Sequence, residues 1–241
     1  MGKYLLVAEG PTDHVVINEL ADKLSAEHNK KIEIVELAPR ADATSGNYPA
    51  FGWTAIEKWC KRYKYKAPQD VAAAPAPIRA ALLRNNWRAL IAIDGADGLI
   101  IQMDNDIAHE INATAPFTAG GNRSLHCHAA ILSWLGEAAL PAEMHLAIAS
   151  MSTETWILAS FDPDHNIFSD LAQPIKYEEI DNCEDRLVSL GFKSKKKNGR
   201  KRLLKSPYTV YEPYAKTISE NLPTIRSRCP ALDSLCTHIS K

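Results

Sequence analysis

Three acidic groupings in this chain are of a type and spacing that could do chemistry together. Glu9 directly follows Lys3-Tyr-Leu-Leu-Val-Ala8, an apolar run of strand length, and precedes Gly10-Pro11-Thr12-Asp13. Asp104 and Asp106 close a second apolar run, Leu99-Ile-Ile-Gln-Met103, with Asn105 between them. Glu154 stands just beyond a third, His145-Leu-Ala-Ile-Ala149. Residues i and i+2 at the point where a chain leaves a strand can reach a common point. Two carboxylates brought that close repel unless a cation sits between them, and hard oxygen ligands suit Mg²⁺ or Mn²⁺. One acid at each of three strand ends is the usual material of a phosphoryl-transfer site that uses metal ions, with Glu9, Asp104, Asp106 and Glu154 as its catalytic candidates. A plainer explanation exists for each part. Asp and Asn favour turns, and Asp94-Gly95-Ala96-Asp97 pairs acids in what reads as a simple turn. Glu9 resists that explanation, because packing gives no reason for an acid between a buried strand and Gly-Pro.

The elements that must position these residues alternate along the chain. After the first strand, Thr12 or Asp13 can cap a helix in which Val16, Ile17, Leu20, Ala21 and Leu24 fall at helical spacing. Ile32-Glu-Ile-Val-Glu-Leu37 alternates and reads as a second strand, completing a βαβ unit. Residues 39–48 read as a loop, 51–64 as a helix, and the Ala/Pro-rich stretch 67–77 as a connector. A helix starts at Ile78 and carries Ala81, Leu82 and Trp87. The run 99–103 has the continuous apolar character of a buried parallel strand. Helix 123–135, strand 145–149 and a helix start at 152–159 follow. This pattern predicts an α/β fold, a mostly parallel sheet flanked by helices, over 1–165. The character changes after Phe161-Asp162-Pro163, so 166–241 is expected to form a basic, mainly helical C-terminal region. In an open parallel sheet, ligands collect at the carboxyl ends of the strands, where the acids lie.

The ordered segments Val7-Ala8-Glu9-Gly10-Pro11-Thr12-Asp13, Gln102-Met103-Asp104-Asn105-Asp106 and Glu154-Thr155-Trp156-Ile157-Leu158-Ala159 together resemble a Toprim domain. This Rossmann-like fold is shared by topoisomerases, bacterial primases and nucleases of the OLD (overcoming lysogenization defect) type. The Glu-Gly-x-Thr-Asp form is most similar to the OLD-like and small stand-alone bacterial branches, and the likeness covers roughly residues 3 to 160. It implies that Glu9 is a general acid/base or metal ligand and that Asp104 and Asp106 hold the divalent ion. Asp13 would assist the metal, and Glu154 would complete a second metal site. It further implies a metal-dependent nuclease acting on DNA or RNA in a phage-defence or mobile-element setting. The alternative is a non-catalytic nucleic-acid-binding subunit or effector controlled by a partner ATPase. No G-x-x-x-x-G-K-[ST] signature occurs, so any ATPase would be another chain. The family's lysine beside the scissile phosphate has no counterpart near Glu154, although a lysine from the C-terminal region could replace it.

Charge adds a second clue. The chain has 28 basic and 29 acidic residues. Eight of the bases fall in one acid-free tract: Lys193, Lys195, Lys196, Lys197, Arg200, Lys201, Arg202 and Lys205. Five more lie in 58–66, where Lys61 and Arg62 are interleaved with Trp59, Tyr63 and Tyr65. Without these thirteen, 15 bases face 29 acids, about −14. A tract of one sign repels itself unless a polyanion neutralises it, and phosphate backbones do so with release of counterions. The aromatic-basic segment could stack on unpaired bases, or it is an amphipathic helix with its aromatics in the core. The tract at 193–205 could equally be a solvated loop. The five cysteines are widely spaced without a CxxC pair, which predicts reduced thiols and a cytoplasmic setting. His126-Cys127-His128 sits at a helix start, where neighbours point apart, and is not expected to chelate. No apolar run reaches the ~20 residues of a membrane helix, so no membrane partner is expected. A homo-oligomer is compatible with all of this.

Overall fold

Strand β1 (Gly2–Val7) sends Tyr4 and Leu6 into one hydrophobic cluster and Leu5 and Val7 into another. That alternation shows a sheet covered on both faces, as a buried parallel strand requires. The computed structural model describes residues 1–42, 44, 47–48, 50–149, 151–197 and 199–241. In chain order β1 is followed by α1 (Pro11–His28), β2 (Ile32–Ala38), α2 (Trp53–Arg62), α3 (Pro68–Ala73), α4 (Ala76–Arg84) and α5 (Trp87–Asp94). Then come β3 (Gly98–Asp104), α6 (Arg123–Leu135), β4 (Met144–Ala149), α7 (Glu154–Leu158) and α8 (Cys183–Ser189). The chain ends with β5 (Ser194–Lys197), β6 (Arg200–Leu203), α9 (Glu212–Glu220), α10 (Leu222–Arg228) and α11 (Pro230–Ile239).

The main sheet has the order β2-β1-β3-β4, and its pairs are all parallel, so the protein is an α/β fold of Rossmann-like layout. Leu5, Val7, Leu99, Ile101 and Met103 pack under Ile56, Trp59, Ile131 and Trp134 of α2 and α6. On the opposite face, Tyr4, Leu6, Ile100 and Ala147 pack with Leu20 and Leu24 of α1, Ile218 of α9 and Leu235 of α11. The C-terminal helices therefore share one core with the sheet, and α9 lies directly along α1.

Several elements differ from their sequence-based expectation. Helix α1 begins at Pro11 with Gly10 at its cap, and Asp13 accepts from the Gly10 N–H at 2.9 Å, so the acid caps from inside the first turn. The connector at 67–77 contains α3 and the start of α4. Alanine supports helix there, and Pro68 and Pro77 occupy first-turn positions that need no N–H. The helix expected from Ile78, whose end the sequence left open, stops at Arg84, and Trp87 begins a separate helix, α5, where the Asn86 side chain accepts from Arg88 N. Within the mainly helical C-terminal region, the basic tract forms an antiparallel hairpin of β5 and β6, turned at Gly199 with φ +77°. Leu203 anchors it in the core. All five cysteines are buried and unpaired. Among the described residues no helix is long and apolar enough to cross a membrane.

Candidate functional site

From β1 the chain crosses to β2 on one side, and from β2 it returns to β3 on the other side of β1. The strand order therefore reverses between β1 and β3, and at such a switch point the loops diverge and leave a crevice. Glu9 leaves β1 and Asp104 ends β3 at this crevice. The two are locked together: Asp104 N–H donates to Glu9 Oε2 at 3.0 Å, and Glu9 N–H donates to Gln102 Oε1 at 3.0 Å. Gln102 Nε2 in turn donates to Asp104 Oδ1 at 3.0 Å. Gln102, set within the apolar run of β3, thus positions both acids. Gly52, at φ +88° and ψ 169°, turns the chain into α2 and donates its N–H to the Glu9 carbonyl at 2.7 Å. Only glycine adopts that conformation without strain.

Asp13 faces the same crevice from the first turn of α1. Its Oδ2 takes the Gly10 N–H, and its Oδ1 takes the Thr153 hydroxyl at 3.1 Å, linking β1 to the segment after β4. Asn105 makes a similar link, since its Oδ1 accepts from Met151 N–H at 2.7 Å where Met151 has φ +63°. Non-glycine residues rarely occupy that region, so Asn105 holds the chain in the turn that delivers Glu154. Glu154 is 1% exposed. Its Oε1 accepts from the Tyr211 hydroxyl and pairs with Lys205 Nζ at 2.7 Å. Lys205 Nζ also meets Glu184 Oε1 at 3.0 Å, and its side chain remains 37% exposed toward the cleft.

Burial sets the electrostatics. It pushes Glu9 up to about 7 against the opposing Asp104 N–H bond, with the neighbouring charges of Asp13 and Asp106 adding to the rise. It pushes Asp13 up to about 6, helped by Glu154 and opposed by Lys205. Asp104 is raised well above the carboxylate range by burial and then by Asp13 and Glu9. Asp106, exposed at the rim, is raised more modestly by partial burial. At Glu154 burial raises the pKa, but the Lys205 ammonium and the Tyr211 and Ser152 hydroxyls outweigh it and hold the group below its ordinary value. One acid is thus committed to an ion pair, and the others share a region with too little positive charge.

A cleft of about 1170 Å³ opens over this cluster. Its lining includes Glu9, Asp13, Asp104 and Thr153 from one set of elements and Lys195, Arg200, Arg202 and Lys205 from the hairpin and the segment after it. In the hairpin Lys195 pairs across to Arg202, and Lys196 to Lys201. Strand alternation puts these pairs on opposite faces, and the Lys195–Arg202 face is the one that meets the cleft. Lys193 is exposed at the base of the hairpin, with its N–H on the Tyr214 hydroxyl. Lys197 belongs to β5, and its side chain lies outside the described residues.

Of the residues singled out from sequence, the structure brings Glu9, Asp13 and Asp104 to one cleft and places Asp106 beside them. Glu154 sits behind Lys205. Lys61 and Arg62 are not brought there. They end α2, a ten-residue helix whose start is at Glu9, and the helix carries them away by about 15 Å. Lys61 pairs with Glu57 at 2.7 Å, and Trp59 is buried with Tyr63 stacked beside it, so this segment is an amphipathic helix. His126 bonds to the Ile111 carbonyl, and Cys127 is buried in the core. Sequence reasoning missed Gln102, Asn105, Thr153 and Glu184. Gln102 carried a signal, a polar residue inside a buried strand, whereas Glu184 is joined to the site only by the fold.

As a donor set the acids fit a hard divalent cation, being all carboxylate oxygens with an unmet need for positive charge. They are not gathered into a finished cage: among the described residues no three acidic, histidine or cysteine side chains stand close enough to enclose one ion. Comparison with known protein families, curated proteins and solved structures found no match.

Proposed function

We propose that this protein is a Toprim-type, Mg²⁺- or Mn²⁺-dependent nuclease that hydrolyses phosphodiester bonds of DNA or RNA. The observation that carries the reading is the meeting of an acidic and a basic set of side chains in one cleft. Glu9 and Asp104 from the strand ends, and Asp13 from the first turn of α1, share one cleft with Lys195, Arg200, Arg202 and Lys205. Glu9, Asp104 and Asp106 would hold the metal, with Asp13 adjoining. The metal would supply Lewis acidity toward the phosphate and lower the pKa of the attacking water. Glu9, its carboxyl raised by burial and kept ionised by a bound cation, would take the water proton as the oxygen–phosphorus bond forms and the ester oxygen leaves. Lys205, held by Glu154 and Glu184 with its ammonium fully charged, would serve as the phosphate-side lysine. Arg200 and Arg202 would grip neighbouring phosphates. Reduced buried thiols accord with a cytoplasmic setting.

The test is a cleavage panel of single- and double-stranded DNA, tRNA and mRNA with Mg²⁺ or Mn²⁺. Metal-dependent cleavage that Glu9→Gln abolishes is expected. Intact substrates throughout, with Glu9→Gln behaving identically, would reject the reading. One observation favours a second reading, a nucleic-acid-binding subunit switched on by a partner ATPase: the carboxylates are not yet closed around a single point. Inactivity of the isolated chain with metal, and activity only when an ATPase co-purifies, would select that view.

A further inference from the structure

Three aromatic side chains at the mouth of the cleft take no part in the chemistry above. Tyr48, Phe51 and Tyr208 line it together with the acids and the hairpin cations. Phe51 is 64% exposed and Tyr208 41%. The Tyr48 and Tyr208 rings meet edge to face, with centroids 5.9 Å apart and planes at 87°. This contact joins the segment before α2 to the segment after β6. Each flank is also tied to a charged group of the site. Phe51 precedes Gly52, whose N–H holds the Glu9 carbonyl, and Tyr208 lies three residues beyond Lys205.

A single exposed aromatic ring is ordinary. Three that share a cleft with a row of cations call for a ligand with both flat apolar faces and closely spaced negative charge. Nucleic acid offers both, because bases stack on aromatic rings while phosphates accept from Lys and Arg. A continuous duplex hides its base faces inside the stack and presents only edges and backbone. We infer that Tyr48, Phe51 and Tyr208 form a base-stacking platform, and that the cleft takes an unpaired segment of a nucleic-acid strand with its phosphate turned toward Glu9 and Lys205. The inference rests on the nucleic-acid reading above and adds the strandedness of the substrate.

The test measures binding of the full chain in EDTA, where nothing is cleaved, by fluorescence anisotropy and by quenching of 2-aminopurine placed in single-stranded DNA, single-stranded RNA or a blunt duplex. Single strands are expected to bind at least about ten-fold more tightly than the duplex and to quench the probe. Phe51→Ala and Tyr208→Ala should each weaken binding by roughly ten-fold and remove the quenching, whereas Phe51→Trp and Tyr208→Phe should keep both. Equal affinity for the duplex, or alanine variants that bind and quench as the parent does, would overturn the platform. So would a mononucleotide that competes as well as the strand, because the site would then be one for free nucleotides. The two levels fail separately. Stacking without metal-dependent cleavage refutes the nuclease alone, and cleavage lost in Glu9→Gln but untouched by the aromatic variants refutes the platform alone. Phe51 is solvent-facing, and unchanged thermal melts would confirm that its variants fold.

Discussion

The two walls of the cleft are built in opposite ways. The acidic wall is an outgrowth of the sheet: Glu9 and Asp104 leave paired parallel strands, and Glu9 Oε2 and Asp104 Oδ1 each accept from the other strand or their own. These groups are well placed but electrostatically unsatisfied, and burial pushes Glu9, Asp13 and Asp104 toward the protonated form. The basic wall is a short exposed hairpin whose cross-strand partners are Lys195 with Arg202 and Lys196 with Lys201. Its charges are solvated, and like charges facing each other across strands weaken the hairpin. One wall has geometry without neutralisation and the other has charge with little anchoring. Lys205 joins them through Glu154 and Glu184.

The largest expected effect breaks the acidic wall. Glu9→Gln or Asp104→Asn should reduce metal-dependent cleavage by about 10³-fold or more, measured as initial rate at saturating Mn²⁺. Binding of single strands in EDTA should survive, since the basic wall is intact. Next comes the joint. Lys205→Met leaves the Glu154 carboxylate buried without its cation and should destabilise the protein by about 2–3 kcal/mol in urea unfolding, less than a fully buried pair because Lys205 is partly solvated. Adding Glu154→Gln should restore most of that loss. If the double variant is no more stable than Lys205→Met, Lys205 and Glu154 are not coupled.

The acidic wall was legible in the sequence because its residues are tied to strand ends, and short buried strands announce themselves by composition. Gly98–Asp104 and Met144–Ala149 fall within a residue of their apolar runs. At Glu154 the sequence offered the acid but not its neighbours: Oε1 meets Lys205 and Tyr211, which are 51 and 57 residues away in sequence. No local pattern encodes such a pairing. The basic tract was legible as charge but not as shape. Lys and Arg fit helix, loop or edge strand alike, so its hairpin follows from Gly199 and from burial of Leu203 against the C-terminal core. Lys61 and Arg62 lie away from the cleft, and of the two readings of their segment, a stacking surface or an amphipathic helix, helical spacing directs Trp59 inward.

A third prediction separates the walls by pH. The folded-state pKa of Glu9, about 7, lies above its ordinary 4.5. Below about pH 4.5 the group is protonated in both states and costs nothing. As pH rises toward 7 the unfolded chain releases its proton first, so the folded state loses stability relative to it, and the loss levels off above 7. Glu9→Gln removes this penalty. In the absence of metal the variant should therefore be more stable than the parent in urea unfolding at pH 8, by up to about 3 kcal/mol, and the gap should shrink toward pH 5. A gap that is the same at pH 5 and pH 8 would show that Glu9 is not held protonated by its surroundings.

The smallest effects belong to the basic wall and test whether strand alternation selects its working face. Arg200→Ala or Arg202→Ala should weaken single-strand binding three- to ten-fold at moderate salt. Each should also lower the log–log salt slope by about 0.7, the contribution of one phosphate contact to a single strand. Lys196→Ala and Lys201→Ala, on the face turned away from the cleft, should change both quantities less. None of the four should lower the melting temperature, since the 3.7 Å Arg202–Glu184 contact is solvent-exposed and weak, and relieving like-charge pairs offsets its loss. Equal losses from both faces would mean that the hairpin acts as a diffuse charge field. A loss confined to Arg200 and Arg202 would mean that its pleat aims particular cations at the phosphate in front of Glu9, giving the weakly anchored wall a geometry of its own.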